Sequence, residues 1–129
     1  MAERQVRKVV GIVGPCGSGK TTLVKRLSVL GINARHIAQE HSYVGAMWLK
    51  ITHPDILIFL DASYPETIHR RKLDWTMEEY QEQHRRLAHA RQNADLYVFT
   101  DTLKPAEICQ IVLDFLEDHA IYPEESNHV

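Results

Sequence analysis

The sequence predicts a three-layer α/β/α domain built on a small, mostly parallel sheet of about four strands. Short apolar runs alternate with segments of helical periodicity, the pattern of strands joined by helical crossovers. The run Ile56-Leu57-Ile58-Phe59-Leu60 is apolar at every position, as expected of a strand covered by helices on both faces. A chain of 129 residues, 44% of them apolar, holds one compact core and too little material for two. A single domain is expected over residues 1–121, followed by a polar tail at 122–129.

The elements follow in order. Val9-Val10-Gly11-Ile12-Val13 reads as a first strand that stops at a glycine-rich turn, and Leu23, Val24, Leu27 and Leu30 then recur at helical spacing before Gly31. Residues 32–38 read as a second strand. The polar Gln39-Glu40-His41-Ser42 follows, with Ser42 placed to cap a short apolar helix over 43–51. In that helix Trp48 reads as a core residue rather than a ligand stack. The apolar run at 56–60 is the central strand. Ser63 with Glu66 and Thr76 with Glu79 each have capping-box spacing, so helices are expected to start at both, the second reaching about Asn93. Met77, Tyr80, Leu87 and Ala94 are expected on one face of the second, and the two helices form a lid-like hairpin over about residues 64–93. Leu96-Tyr97-Val98-Phe99-Thr100 reads as the last strand, and Pro105 opens a helix with Ile108, Val112, Phe115 and Leu116 on one face.

Composition excludes some partners. A formal charge of -2 gives no global electrostatic reason to bind nucleic acid or an acidic membrane. The first eight residues hold no apolar signal core, and no apolar run approaches the roughly 18 residues of a membrane span, so a soluble cytoplasmic protein is expected. Cys16 and Cys109 form no disulfide framework, and none of the eight histidines stands at zinc-site spacing from a cysteine, so no structural metal is expected.

Between the first strand and its helix lies Gly14-Pro15-Cys16-Gly17-Ser18-Gly19-Lys20-Thr21, the complete Walker A spacing G-x-x-x-x-G-K-[ST] in its proper strand-to-helix setting. Glycines there let the backbone turn its N–H groups onto phosphate oxygens, while the helix presents its positive dipole end. Lys20 is expected on the β- and γ-phosphates and Thr21 on magnesium, with Thr22 beside it. The ligand is therefore a nucleoside triphosphate with Mg2+. Cys16 is either a thiol activated at a helix N-terminus or a small filler residue.

Beyond the loop, the chain resembles the nucleotide-kinase-like P-loop NTPases, such as thymidylate and adenylate kinases. The likeness is carried by residues 54–63, by Arg70-Arg71 ahead of an arginine-bearing helix, and by residues 94–101. It implies ATP as the nucleotide. It implies Arg70 and Arg71 as lid residues acting with Lys20 in catalysis, and Asp101, Leu103 and Lys104 in the loop that holds the base. Surface pairing with the neighbouring acids is the alternative role for the arginines. Glu40 corresponds to a glutamate near the phosphoryl acceptor, and Asp61 ends an apolar strand as a Walker B acid does, so both are candidates for the magnesium site. The segment 39–55 lacks the acceptor-binding subdomain of those kinases. The expected function is therefore transfer of the γ-phosphate to a small-molecule acceptor or to water, or else a nucleotide-dependent regulatory module that presents a surface to a protein partner.

Overall fold

The structure is a computed structural model that describes residues 8–71 and 74–123; of Arg71 it describes the backbone alone. Most of the expected tail, residues 124–129, lies outside it. Four parallel strands, β1 (Val10–Val13), β2 (Ala34–His36), β3 (Ile56–Asp61) and β4 (Leu96–Phe99), form one sheet in the order β2-β1-β3-β4. Ile12 pairs with His36 on one side and Ile58 on the other, and Asp61 pairs with Phe99. Because every strand runs the same way, the loops that follow all four open onto one edge of the sheet. Five helices complete the described chain: α1 (Lys20–Val29), α2 (Met47–Thr52), α3 (Tyr64–Arg71), α4 (Met77–Asn93) and α5 (Pro105–Asp118).

Strand alternation sorts the core into two layers. Val10, Ile12, Ile58, Leu60 and Val98 meet Leu23 and Leu27 of α1 and Ile108, Val112 and Leu116 of α5. On the opposite face Val13, Leu57 and Phe59 pack with Ile37, Trp48 and with Leu87 and Ala90 of α4. Both faces of the sheet are covered, as the uniformly apolar β3 requires. Trp48 is in this core, and its indole N–H donates to His89 Nδ1 at 3.0 Å.

Three expectations are corrected. The helix expected over 43–51 begins only at Met47. Gln39–His41 forms a 3-10 turn, and Ser42 Oγ accepts the Val44 N–H at 3.1 Å, so Ser42 shapes a tight turn instead of capping the helix. Met77 does not share the buried face of α4: it stands about 80° round the helix from Leu87 and is 46% exposed, whereas Gln83, Leu87 and Ala90 are buried. The hairpin over 64–93 is not a lid in its second half, since α4 is the layer that closes one face of the sheet. Its N-terminus is fixed as expected. Thr76 Oγ1 accepts the Glu79 N–H at 3.1 Å while Glu79 Oε1 accepts the Thr76 N–H at 2.9 Å.

The packing of α4 sets the first test. Leu87→Ala removes a fully buried side chain and is expected to destabilise the fold by about 3 kcal/mol. Met77→Ala is expected to change it by less than about 0.5 kcal/mol. Denaturant unfolding of the two variants measures both, and equal losses would contradict the face assignment.

Candidate nucleotide site

The loop after β1 departs from ordinary backbone geometry. Gly14, Gly17 and Gly19 have φ of 153°, 83° and 105°. A Cβ on Gly14 would stand 2.0 Å from the carbonyl oxygen of Leu60, so the loop approaches β3 more closely than any other residue allows. Gly19 in the left-handed region leads directly into Lys20 at the start of α1. The result is a tight loop followed by a helix N-terminus, the arrangement that receives phosphate oxygens.

Lys20 lies beneath this loop, 5% exposed. Its ammonium donates to Gly14 O at 2.6 Å, Pro15 O at 3.1 Å and Glu40 Oε2 at 2.9 Å. All three of its protons have partners, which a buried ammonium requires. Glu40 is 2% exposed, and its other oxygen, Oε1, has no hydrogen-bond partner among the described residues. The 3-10 turn that carries it is pinned by Gln39. The Gln39 amide donates to Val44 O and Arg86 O, and its oxygen accepts the Trp48 N–H at 2.7 Å.

A cavity of about 600 Å³ opens above the loop. It brings together Cys16, Gly17, Gly19, Lys20, Thr21, Thr22, Glu40, Arg70 and Leu103 of the expected site, with His41. Gly14 and Pro15 stay behind it and act through their carbonyls on Lys20. Ser18 is fully buried, and its hydroxyl has no partner among the described residues. Asp101 and Lys104 are not in the lining. The Asp101 carboxylate turns back to accept the Ser63 N–H at 2.8 Å, and Lys104 caps α5 with its N–H bonded to Glu107 Oε1.

Arg70 lines the cavity, but all three of its guanidinium nitrogens are already bonded within the chain. It donates to Thr100 Oγ1 at 2.8 Å, Thr100 O, Gly17 O at 3.3 Å, Ser18 O at 3.5 Å and Glu66 Oε2 at 3.0 Å. The residue thus ties the phosphate loop to the end of β4. The side chain of Arg71 lies outside the described residues.

Sequence reasoning missed His36, Pro105 and Ile108 in the cavity wall, and Thr100 and Gln83 behind it. His36 was legible in principle, because it ends the strand beside β1 and so opens onto the same sheet edge. Its imidazole is held below the ordinary value by burial, with the charge of Lys20 pushing the same way. Gln83, which accepts the Cys16 N–H at 3.0 Å, carries no sequence signal of its own.

Asp61 is not where the Walker B reading puts it. As the last residue of β3 it alternates onto the α4 face with Leu57 and Phe59, away from the cavity. Its Oδ1 accepts the Ala62 N–H at 2.9 Å, and its Oδ2 accepts the Tyr97 hydroxyl. His84 Nε2 stands 3.5 Å from Oδ1. Burial, then for Tyr97 its hydrogen bond to Asp61, and for both the Asp61 charge, push the Tyr97 and Tyr80 phenols up to about 12.

A strand, glycine loop and helix with a buried lysine beneath the loop define a P-loop NTPase-class domain. The family model of the NB-ARC domain matches residues 1–115, and the chain belongs to that family of nucleotide-binding domains. No curated protein matches it. Among solved structures, ribose-5-phosphate isomerase B from Giardia lamblia aligns at 17% identity over 84% of this chain and 94% of that one. Its TM-score is 0.46, a likeness too slight to bear on fold or function. Among the described residues no helix is long and apolar enough to cross a membrane.

The His84 environment makes stability depend on pH. Burial holds its imidazole below the ordinary 6.5, with the Asp61 charge opposing and Arg91 assisting. The native state therefore binds fewer protons there than the unfolded chain, so this contribution is complete above about pH 6.5 and is lost as pH falls below it. The urea midpoint is expected to drop between about pH 7 and about pH 5, and to drop less in His84→Gln. Equal slopes in the two proteins would clear His84 of the effect.

Proposed function

We propose that the chain binds ATP with magnesium and directs the γ-phosphate to water or to a small hydroxyl-bearing acceptor. The observation that supports this most is Glu40, a buried carboxylate inside the nucleotide cavity. One of its oxygens is held by Lys20 and the other has no partner among the described residues.

In this reading the N–H groups of the loop receive the phosphate oxygens, and Lys20 exchanges Glu40 for the phosphates. Freed of its ammonium, Glu40 becomes a stronger acceptor, suited to take a proton from an attacking hydroxyl or to orient a water. The hydroxyl of Thr21 and the carboxylate of Glu40, the latter through water, are hard oxygen ligands of the kind magnesium takes, whereas Asp61 faces the wrong side of the sheet. Bound there, magnesium would supply positive charge to the phosphates, held by Thr21 and, through water, by Glu40. At the far end of the cavity Leu103, Pro105 and Ile108 offer apolar surface to a base, with the Arg70 guanidinium beside them.

A second reading is supported by the ties on Glu40. The turn that carries it is bonded through Gln39 to α2 and α4, so movement of Lys20 from Glu40 to a phosphate is felt by both helices. A nucleotide-dependent regulatory module uses that coupling to present the α2 and α4 surfaces to a partner. The short segment between β2 and β3 leaves little room for an acceptor subdomain and favours water or this regulatory use over a large acceptor.

Incubation with γ-labelled ATP and a metabolite pool separates the outcomes. A labelled metabolite means a kinase, labelled phosphate an ATPase, and persistent ATP with altered partner binding a switch. If Glu40 serves the chemistry, Glu40→Gln is expected to cut turnover tenfold or more, on the order of lost general-base help, with ATP affinity changed only a few-fold. Unchanged turnover would remove Glu40 from the mechanism.

A further inference from the structure

We propose that in the nucleotide-free chain, where Glu40 is still paired with Lys20, Cys16, Glu40 and His41 form a binding site for Zn2+, or a cation of the same borderline softness, at the mouth of the nucleotide cavity. Cys16 and His41 are 25 residues apart in the chain, which is why no ligand spacing announces them. The loop after β1 and the 3-10 turn after β2 lie side by side at the sheet edge and bring the two together.

Two of the three distances are close to those of a small tetrahedral ion. Cys16 Sγ is 3.8 Å from His41 Nε2, and Glu40 Oε2 is 3.7 Å from the same nitrogen. The three ligand atoms all lie within 4.8 Å of one another. Zinc bonds of ~2.0 Å to nitrogen or oxygen and ~2.3 Å to sulfur place tetrahedral ligands roughly 3.3–3.6 Å apart, so the two His41 distances close with shifts of a few tenths of an ångström, while Cys16 and Glu40, bounded at 4.8 Å, must draw together by up to about an ångström. The His41 side chain, 60% exposed, has the freedom to make its own share of these shifts and gives the ion a route from solvent.

Glu40 provides the independent indication. It is almost wholly buried, and Oε1, the oxygen that Lys20 leaves free, has no hydrogen-bond partner among the described residues, an uncommon state that a cation engaging both carboxylate oxygens would relieve. Lys20 occupies Oε2 at 2.9 Å, so the ion shares the carboxylate with an ammonium and is bound less tightly than in a site of free ligands. Gln83 completes the support: its amide nitrogen donates to Cys16 Sγ at 3.3 Å and its oxygen accepts the Cys16 N–H, fixing the sulfur in place.

Thiolate, imidazole and carboxylate together are ligands of zinc, not of magnesium, which takes oxygen alone. On binding, the S–H bond is replaced by an S–Zn bond, the proton passes to solvent, and no electron changes hands. Three protein ligands leave the fourth position open.

Titration of the whole chain with Co2+ in reducing buffer without nucleotide tests the site independently of any nucleotide chemistry. One equivalent is expected to give tetrahedral d–d bands with a thiolate-to-cobalt charge-transfer absorption, both displaced by Zn2+. Cys16→Ser is expected to abolish the charge transfer and Cys109→Ser to retain it. His41→Ala and Glu40→Gln are each expected to weaken zinc binding at least about tenfold against a chromophoric chelator. An octahedral spectrum without charge transfer, a charge transfer that follows Cys109 instead of Cys16, or an affinity indifferent to His41 and Glu40 would overturn the assignment.

Discussion

An ammonium group buried at the base of a loop must have every proton answered, and Lys20 is that group here. Two answers come from the carbonyls of Gly14 and Pro15 and the third from Glu40. The first two require the loop to curl around the lysine, which the glycines permit and the close approach of Gly14 to Leu60 enforces. The third requires a carboxylate delivered from β2's side of the sheet. The pair is thus a joint between two neighbouring loops, and breaking it by removing one partner leaves a buried charge.

The sheet is what makes the joint available. With the order β2-β1-β3-β4 and all strands parallel, the loops after β1 and β2 are adjacent on one edge, and those after β3 and β4 are adjacent on the other side of β1. Glu40 and His41 therefore arrive at one end of the phosphate loop, and Arg70, Thr100 and Leu103 at the other. Arg70 and Thr100 bond the carbonyls of Gly17 and Ser18, so the loop is braced from β4 as well as from β2. A phosphate entering between them meets a pocket whose two walls belong to different crossovers.

Local signals in the sequence located most of this architecture. The Thr76–Glu79 capping box, Pro105 at the start of α5 and the uniformly apolar β3 each act within a few residues and appear where expected. What failed depended on tertiary placement. Ser42 has the chemistry of a helix cap, yet the side chain of Gln39 satisfies the Trp48 N–H and the helix begins later. Asp61 ends an apolar strand as a magnesium acid would, but strand parity turns it toward Tyr97 and His84. Parity of a strand buried on both faces is invisible in composition, because both faces read apolar. The meeting of Cys16 with His41 and Gln83 was equally hidden, being set by three separate elements.

Whether Lys20 truly trades Glu40 for a phosphate is decided by calorimetry with Mg·ATP on the native chain and on Lys20→Ala. Native protein is expected to bind with heat that is lost in the variant, its affinity falling by about a hundredfold or more, as loss of a charge-assisted phosphate contact in a buried site implies. Equal affinity in the two proteins would mean that the buried lysine serves the fold alone, and that the loop does not hold a triphosphate in the way its geometry indicates.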